Sequence, residues 1–532
     1  MPSLYLAWAA IRHPAKALND DLQTAATSLA RTVKNQWDEE TRIRRLNDPY
    51  PLPVAWRPAD DDLAEPWPLL TERPHSWPGG PPGAPALWPP AANGLSGADA
   101  QIAEVSIDRV PTRRMVILGE PGAGKSMLLI RLLLDLIERR TPGSPVPVLF
   151  SLASWDPRQQ LKSWLSEELR RTYPELRAPV PITTAAADAT ARGDMAQALL
   201  DAGHILPLLD GFDELPPAWH TTALDALNRG LPAPQSLVLS SRTCFYRTAV
   251  SHQDGMVRLN GGAAIQLLPL APDAASNYLR RDAGGPQAPA ADRWDTVIAH
   301  LGTDTPVGQA LSTPLGLFLA RTIYNPRPQA GPGPAPPHPD ELCDTTAYPD
   351  RTAVDTHLFQ AFIPAAYTPA QPRPPRWTAE QAHHTFVFLA RFLRDQREGN
   401  PDLAWWEIPR LLPARTRLLT GGAVFGILFG IAFGIISENI LGIQLGGILF
   451  GVFCGLIVGA RGATALRAPA FAGRPPGHRK CSCPRPSSEL RPGFWPTIRS
   501  AAHSGSWWGS WSGLRSESCS PSRSGSGQRD LA

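Results

Sequence analysis

The chain has 532 residues, 43% of them hydrophobic, which is material for two to four domains with a sizeable core in at least one and excludes a tail or a peptide. Its formal charge of +3 is small for that length and makes no case for nucleic acid as a general partner. Six cysteines (Cys244, Cys343, Cys454, Cys481, Cys483, Cys519) are scattered without C-x-x-C or histidine ligand spacing, so the composition reads as a reducing compartment with no disulfide framework and no zinc site.

At the N-terminus, Ser3 to Ile11 is apolar but far short of the ~20 residues a bilayer span needs, and no basic region precedes it. Ala17 to Leu46 reads as one amphipathic helix, because Leu18, Leu22, Ala25, Leu29, Val33 and Trp37 recur three or four apart; residues 1–48 are its unit. Residues 49–99 are dense in Pro and Trp. The 59 prolines of the chain are about twice the usual ~5% share, and this stretch reads as an irregular linker.

Residues 100–268 read as a nucleotide domain. Gly119-Glu120-Pro121-Gly122-Ala123-Gly124-Lys125-Ser126 fits G-x-x-x-x-G-K-[ST], between an apolar strand (Met115 to Leu118) and an amphipathic helix from Met127 to Arg139. Backbone N–H groups of such a loop, closing on a helix N-terminus, form an anion cradle through Met127. Lys125 is placed to reach the β/γ-phosphates, and Ser126 to hold Mg²⁺. After strand Val146 to Leu152, the apolar strand Ile205 to Leu209 ends in Asp210-Gly211-Phe212-Asp213-Glu214. Carboxylates at the carboxyl end of such a strand suit a Walker B acid: Asp210 beside the magnesium, with Asp213 or Glu214 orienting the attacking water. Pro207 is awkward in that strand, since proline donates nothing to a central ladder. A further strand, Leu237 to Leu239, leads into Ser240-Ser241-Arg242, whose guanidinium can sense or stabilise the γ-phosphate.

These residues, GEPGAGKS, Leu208 to Leu215 and the strand ending Ser240-Ser241-Arg242, resemble the NACHT family of signal-transduction ATPases, in which a small residue follows the first Asp and an acidic pair stands two positions on. Val148 to Trp155 is similar to a phrase found in actinobacterial members. The resemblance covers Arg113 to Tyr324 well and Asp340 to Trp406 more loosely. It implies ATP or ADP held in a multi-domain switch, slow hydrolysis and self-association when triggered. It also implies that Pro314 packs on the adenine from a small helical domain, residues 269–325. After a Pro/Gly linker at 326–339, residues 340–410 would be winged-helix-like. No basic recognition face accompanies them.

Leu418 to Ile436 and Ile440 to Ala460 are apolar runs with glycine every fourth residue, long enough to span. With Arg410, Arg415 and Arg417 before them and Arg461 and Arg467 after, they predict a hairpin of two transmembrane helices over 418–460 with both outer ends cytoplasmic. Residues 468–532, rich in Ser, Arg and Gly, read as a disordered tail or as an out-of-frame translation of a GC-rich gene.

The expected fold is therefore α/β: a P-loop parallel sheet with helices on both faces, then small α-helical and winged-helix-like domains and a transmembrane α-hairpin. The expected function is a multi-pass, cell-membrane-attached ATP/ADP switch with Mg²⁺, its nucleotide domain in the cytoplasm, partnering the lipid bilayer and copies of itself. Two alternatives stand beside it: a membrane-coupled ATPase of ordinary turnover, and a nucleotide-dependent scaffold that does not hydrolyse.

Overall fold

The computed structural model describes residues 14–43, 52–181, 192–252, 255–325, 337–367 and 377–396. All of these belong to the first of two units, Met1–Asp402; the second, Leu403–Ala532, lies outside the described residues.

The centre of the molecule is β3 (Arg114–Leu118), buried at every position. A strand covered on both faces reads as an unbroken apolar run, which is what Met115 to Leu118 is. Around it stand β4 (Val146–Ser151), β5 (Ile205–Asp210), β6 (Leu237–Ser241) and β7 (Ala263–Leu267), all parallel. Two antiparallel strands, β1 (Ala55–Pro58) and β2 (Gly97–Ala98), complete a seven-stranded sheet in the order β2-β1-β7-β3-β6-β5-β4. From β3 the chain crosses to the far strand β4, returns through β5 and β6, and passes β3 to reach β7. Crossovers leaving β3 in opposite senses lie on opposite faces by the right-handed rule, and the reversal opens a crevice at the carboxyl ends of the strands.

Pro207 is accommodated by register. β5 pairs with β4 along its whole length, but its ladder to β6 joins only Leu208 to Val238 and Leu209 to Leu239, so that ladder begins one residue after the missing donor. At the amino end of β3, the buried Arg114 donates from Nε to Asn260 O (2.7 Å) and from Nη1 to Gln235 O (2.8 Å). Burial pushes its pKa down to about 10, a cost offset by the loop carbonyls it gathers.

Residues 52–99 are built into this domain rather than strung beside it. Trp56 of β1 is 2% exposed and donates Nε1–H to Leu95 O at 2.8 Å, while Leu63, Leu70 and Leu95 join the same core as β3. Proline density misleads here because β1 is near an edge, where a proline at the strand end removes no needed bond. The N-terminal helix α1 (Pro14–Ile43) also packs on the domain. It buries Leu22, Ala26, Leu29 and Val33 against that core, and Tyr173 Oη donates to Gln36 Oε1 at 3.0 Å.

A second apolar core follows. It is formed by α7 (Pro272–Asp282), α8 (Pro306–Ala310), α9 (Pro314–Tyr324) and α10 (Arg351–Ala366), with Leu279, Trp294, Leu317, Val354 and Leu358 inside. The intervening helices of the nucleotide domain are α2 (Lys125–Glu138), α3 (Leu161–Thr172), α4 (Met195–Asp201), α5 (His220–Gly230) and α6 (Thr243–Val250). Asp282 ties the second core together, accepting from Arg321 Nη1 (2.6 Å) and Asn325 Nδ2 (2.5 Å). Residues 337–367 and 377–396 contribute helices, the last being α11 (Ala379–Gln396); 326–336 and 397–410 of the expected linker and winged-helix-like domain lie outside the described residues.

The transmembrane α-hairpin, and with it the multi-pass cell-membrane location and the bilayer as partner, is corrected. Among the described residues no helix is long and apolar enough to cross a membrane. The physical reason is charge: α1 has 30 residues but carries Asp20, Asp21, Arg31, Lys34, Asp38, Glu39, Glu40 and Arg42, and α11 carries Glu380, Arg391, Arg394 and Asp395. Both are amphipathic rather than apolar all round. The runs at 418–460 on which the hairpin was predicted, and the tail at 468–532, lie outside the described residues.

Candidate functional site

Between β3 and α2 the chain turns through Gly122 (φ +74°) and Gly124 (φ +97°), both in the left-handed region. Only glycine enters that region without a steric cost, so the loop can fold back on the start of α2. Gly124 is the residue before the helix, and its carbonyl accepts from Leu128 N at 2.9 Å. Gly119 donates to Ser241 O at 3.3 Å, which pins the loop's first residue to the end of β6. Glu120, Pro121 and Ser126 are exposed, Ala123 is buried, and Met127 is half-buried.

Lys125 Nζ donates to Gly119 O (2.9 Å) and Glu120 O (3.1 Å), so the ammonium is held over its own loop. Burial lowers its pKa from the ordinary 10.5, opposed by Asp213, seconded by Arg242 and opposed by Asp210. A phosphate offers this cation more than two neutral carbonyls do.

Asp210 ends β5, and the Ser240 hydroxyl donates to its Oδ1 while accepting from Gly211 N at 3.0 Å. One buried serine thus fixes both the carboxylate and the turn after it. Gly211 stands at φ +79°, and a Cβ there would meet the Glu214 carboxyl carbon at 2.8 Å. The small residue after the first Asp is required twice, by its backbone and by Glu214 folding over it. Phe212 is fully buried and stacks on His220 at 5.3 Å, whose Nε2 lies 2.9 Å from Leu215 O.

The acidic pair divides. Asp213 accepts from Arg242 N (3.0 Å) and pairs with Arg242 Nε (2.7 Å), its side chain only 7% exposed. Glu214 is exposed. Arg242, 44% exposed, is thereby held at the carboxyl end of β6, between the P-loop strand and the Walker B strand.

The second core reaches this site through the first turn of α9. Thr313 caps that helix, its Oγ1 accepting from Gly316 N at 3.1 Å. Leu315 N donates to Gly122 O at 3.3 Å, and Pro314 Cγ lies 3.6 Å from where a Cβ on Gly124 would stand. From the other side Val54 Cγ2 comes within 3.4 Å of the same point. The structure therefore brings together Gly119 to Ser126, Asp210, Asp213, Arg242 and Pro314 at one end of the sheet. Sequence reading assigned no role to Val54, Leu315 or Ser240. No local signal marks Val54; Ser240 was visible only as the residue two before Arg242.

Ser126 and Asp210 offer a hydroxyl and a carboxylate oxygen, hard donors of the kind that suit Mg²⁺ with a phosphate. The donor set fits that ion.

Comparison with known proteins agrees with the site. The family model described as the NACHT domain matches residues 113–283. No curated protein matches the chain. Among solved structures, that of C. elegans PCH-2 aligns with 49% of this chain and 66% of that one, at 14% identity and a TM-score of 0.25, too low to bear on fold or function. Residues 113–283 are a NACHT domain, and this part of the chain is a nucleotide-binding P-loop NTPase domain.

Proposed function

We propose that the chain is a signalling switch, closed with ADP, opened by exchange for ATP, reset by slow hydrolysis, and self-associating in the open state. The observation that supports it is the bond from Leu315 N to Gly122 O, because a neighbouring domain that grips the phosphate loop feels what the loop holds. A turnover enzyme needs no such grip.

In this reading Lys125 and the N–H groups of Gly122 to Met127 bind the phosphates, and Pro314 with Val54 flanks the base. Ser126 and Asp210 would hold Mg²⁺, which would supply neutralisation of phosphate charge. Glu214 takes the proton of the attacking water, being exposed, while Asp213 positions Arg242 on the γ-phosphate. Hydrolysis consumes water and ATP and leaves ADP and phosphate.

Nucleotide released from the purified chain by denaturation is the test. ADP at near one equivalent, with turnover well below the several-per-second range of ordinary enzymes, is expected. Empty protein turning over at several per second would replace the switch with an ordinary ATPase. Full output from Glu214→Gln would instead indicate a scaffold that does not hydrolyse.

A further inference from the structure

Glu214 and Arg242 are both exposed, and they follow different strands, β5 and β6. A base and a γ-phosphate cation act together only in a fixed geometry, and a misplacement of about 1 Å costs on the order of 100-fold in rate. His220, the first residue of α5 and only 2% exposed, touches the supports of both.

On one side its Nε2 lies 2.9 Å from Leu215 O. A carbonyl only accepts, so Nε2 carries the proton and Nδ1 is bare in the neutral ring. Leu215 directly follows Glu214, and Pro216 and Pro217 stiffen the few residues between it and α5, so the bond closes a short loop at the acidic turn. The same ring stacks on the buried Phe212, two residues before Glu214, at 5.3 Å, and Phe212 in turn meets Tyr246 at 6.2 Å. On the other side His220 meets Phe245 of α6 edge to face at 5.5 Å, and the Arg242 guanidinium stands 5.8 Å from that Phe245 ring. Burial pushes the imidazole's pKa below the ordinary 6.5, opposed by the Leu215 bond and by Asp213, so at neutral pH the ring sets no second cation beside Arg242.

We infer that His220 is a positioning residue for ATP hydrolysis, its ring tying the turn that bears Glu214 to the aromatic side chain that backs Arg242. The inference rests on the hydrolytic roles proposed above for those two residues. His220 acts on the rate rather than on ATP binding, because the bonds that shape the phosphate loop, Gly119 N to Ser241 O and Leu315 N to Gly122 O, do not pass through it.

Single-turnover hydrolysis and equilibrium ATP titration of the full chain, in the parent, Glu214→Gln, His220→Leu and His220→Gln, test it. His220→Leu loses donor and ring together, whereas His220→Gln keeps an N–H donor of similar reach. His220→Leu is expected to hydrolyse about 100-fold more slowly than the parent with ATP affinity within about threefold, and His220→Gln to recover about tenfold of that loss. A parental rate in His220→Leu, no recovery in His220→Gln, or a loss of ATP affinity that matches the loss of rate would overturn the assignment and leave His220 a packing residue. A parent that does not hydrolyse, or that Glu214→Gln does not slow, would remove the hydrolytic roles themselves and the inference with them, an outcome read before either His220 variant is compared.

Discussion

Lys125 is a cation held in place before its ligand arrives. Lys125→Ala should weaken ATP binding about 10- to 100-fold, the worth of one charged hydrogen-bonding group, as read by equilibrium titration. Because burial has already lowered its pKa below 10.5, the ammonium loses its proton earlier than a free lysine does on raising the pH. ATP affinity should therefore fall as the pH climbs toward 10.5, and Lys125→Arg should delay that fall. The acidic pair separates by readout. Asp213→Ala removes both oxygens that hold Arg242 and should cost about 1 kcal/mol in denaturant unfolding, Arg242 being partly exposed, whereas Glu214→Gln should spare stability and slow hydrolysis about 100-fold or more. Motif spacing displayed all of these residues but not this division, because Asp213 and Glu214 differ only in what lies across the sheet from them. The hydroxyl of Ser240 was hidden for the same reason: its partner Asp210 is thirty positions away.

Among the elements, α1 is the most direct case of a local pattern whose consequence lies outside the element itself. The apolar face of Leu22, Leu29 and Val33 is visible as a helical period, yet nothing in that period says that the face lies on a nucleotide domain. Leu29, 1% exposed, makes the point measurable: Leu29→Ala should destabilise the nucleotide domain itself by about 2–4 kcal/mol, seen as loss of cooperative unfolding at lower denaturant. A helix merely tethered by a linker would leave that transition unmoved. Residues 52–99 were harder still. Trp56 and Leu95 find each other across thirty-nine positions through an indole-to-carbonyl hydrogen bond, a contact that leaves no periodic trace in a proline-rich text. The strand order likewise has to be seen, since any arrangement of five parallel strands gives the same succession of apolar runs.

At the scale of the whole molecule, the two apolar cores of the described residues meet at the phosphate loop. The exit of β7 is fixed to the second core by Leu270 N donating to Ser312 O at 2.8 Å, and α9 leans on Gly122. Gly122→Ala places a methyl 2.9 Å from Leu315 Cβ in a backbone conformation that alanine resists. The two cores should then melt separately in calorimetry, where the parent is expected to give one transition, and ATP should no longer raise the second. Saturating nucleotide, at a hundred times its dissociation constant, should stabilise the parent by about 2.7 kcal/mol.

The sheet is also finished at both sides. One edge ends in β2, two residues long, and the other in β4, which carries Pro147 and has α1 packed against it. Neither offers a run of unpaired donors and acceptors to an extending chain. This sheet therefore offers a second copy of the protein no edge to extend, and contacts made through it should be free of the strand-by-strand growth that turns an open sheet edge into a fibre.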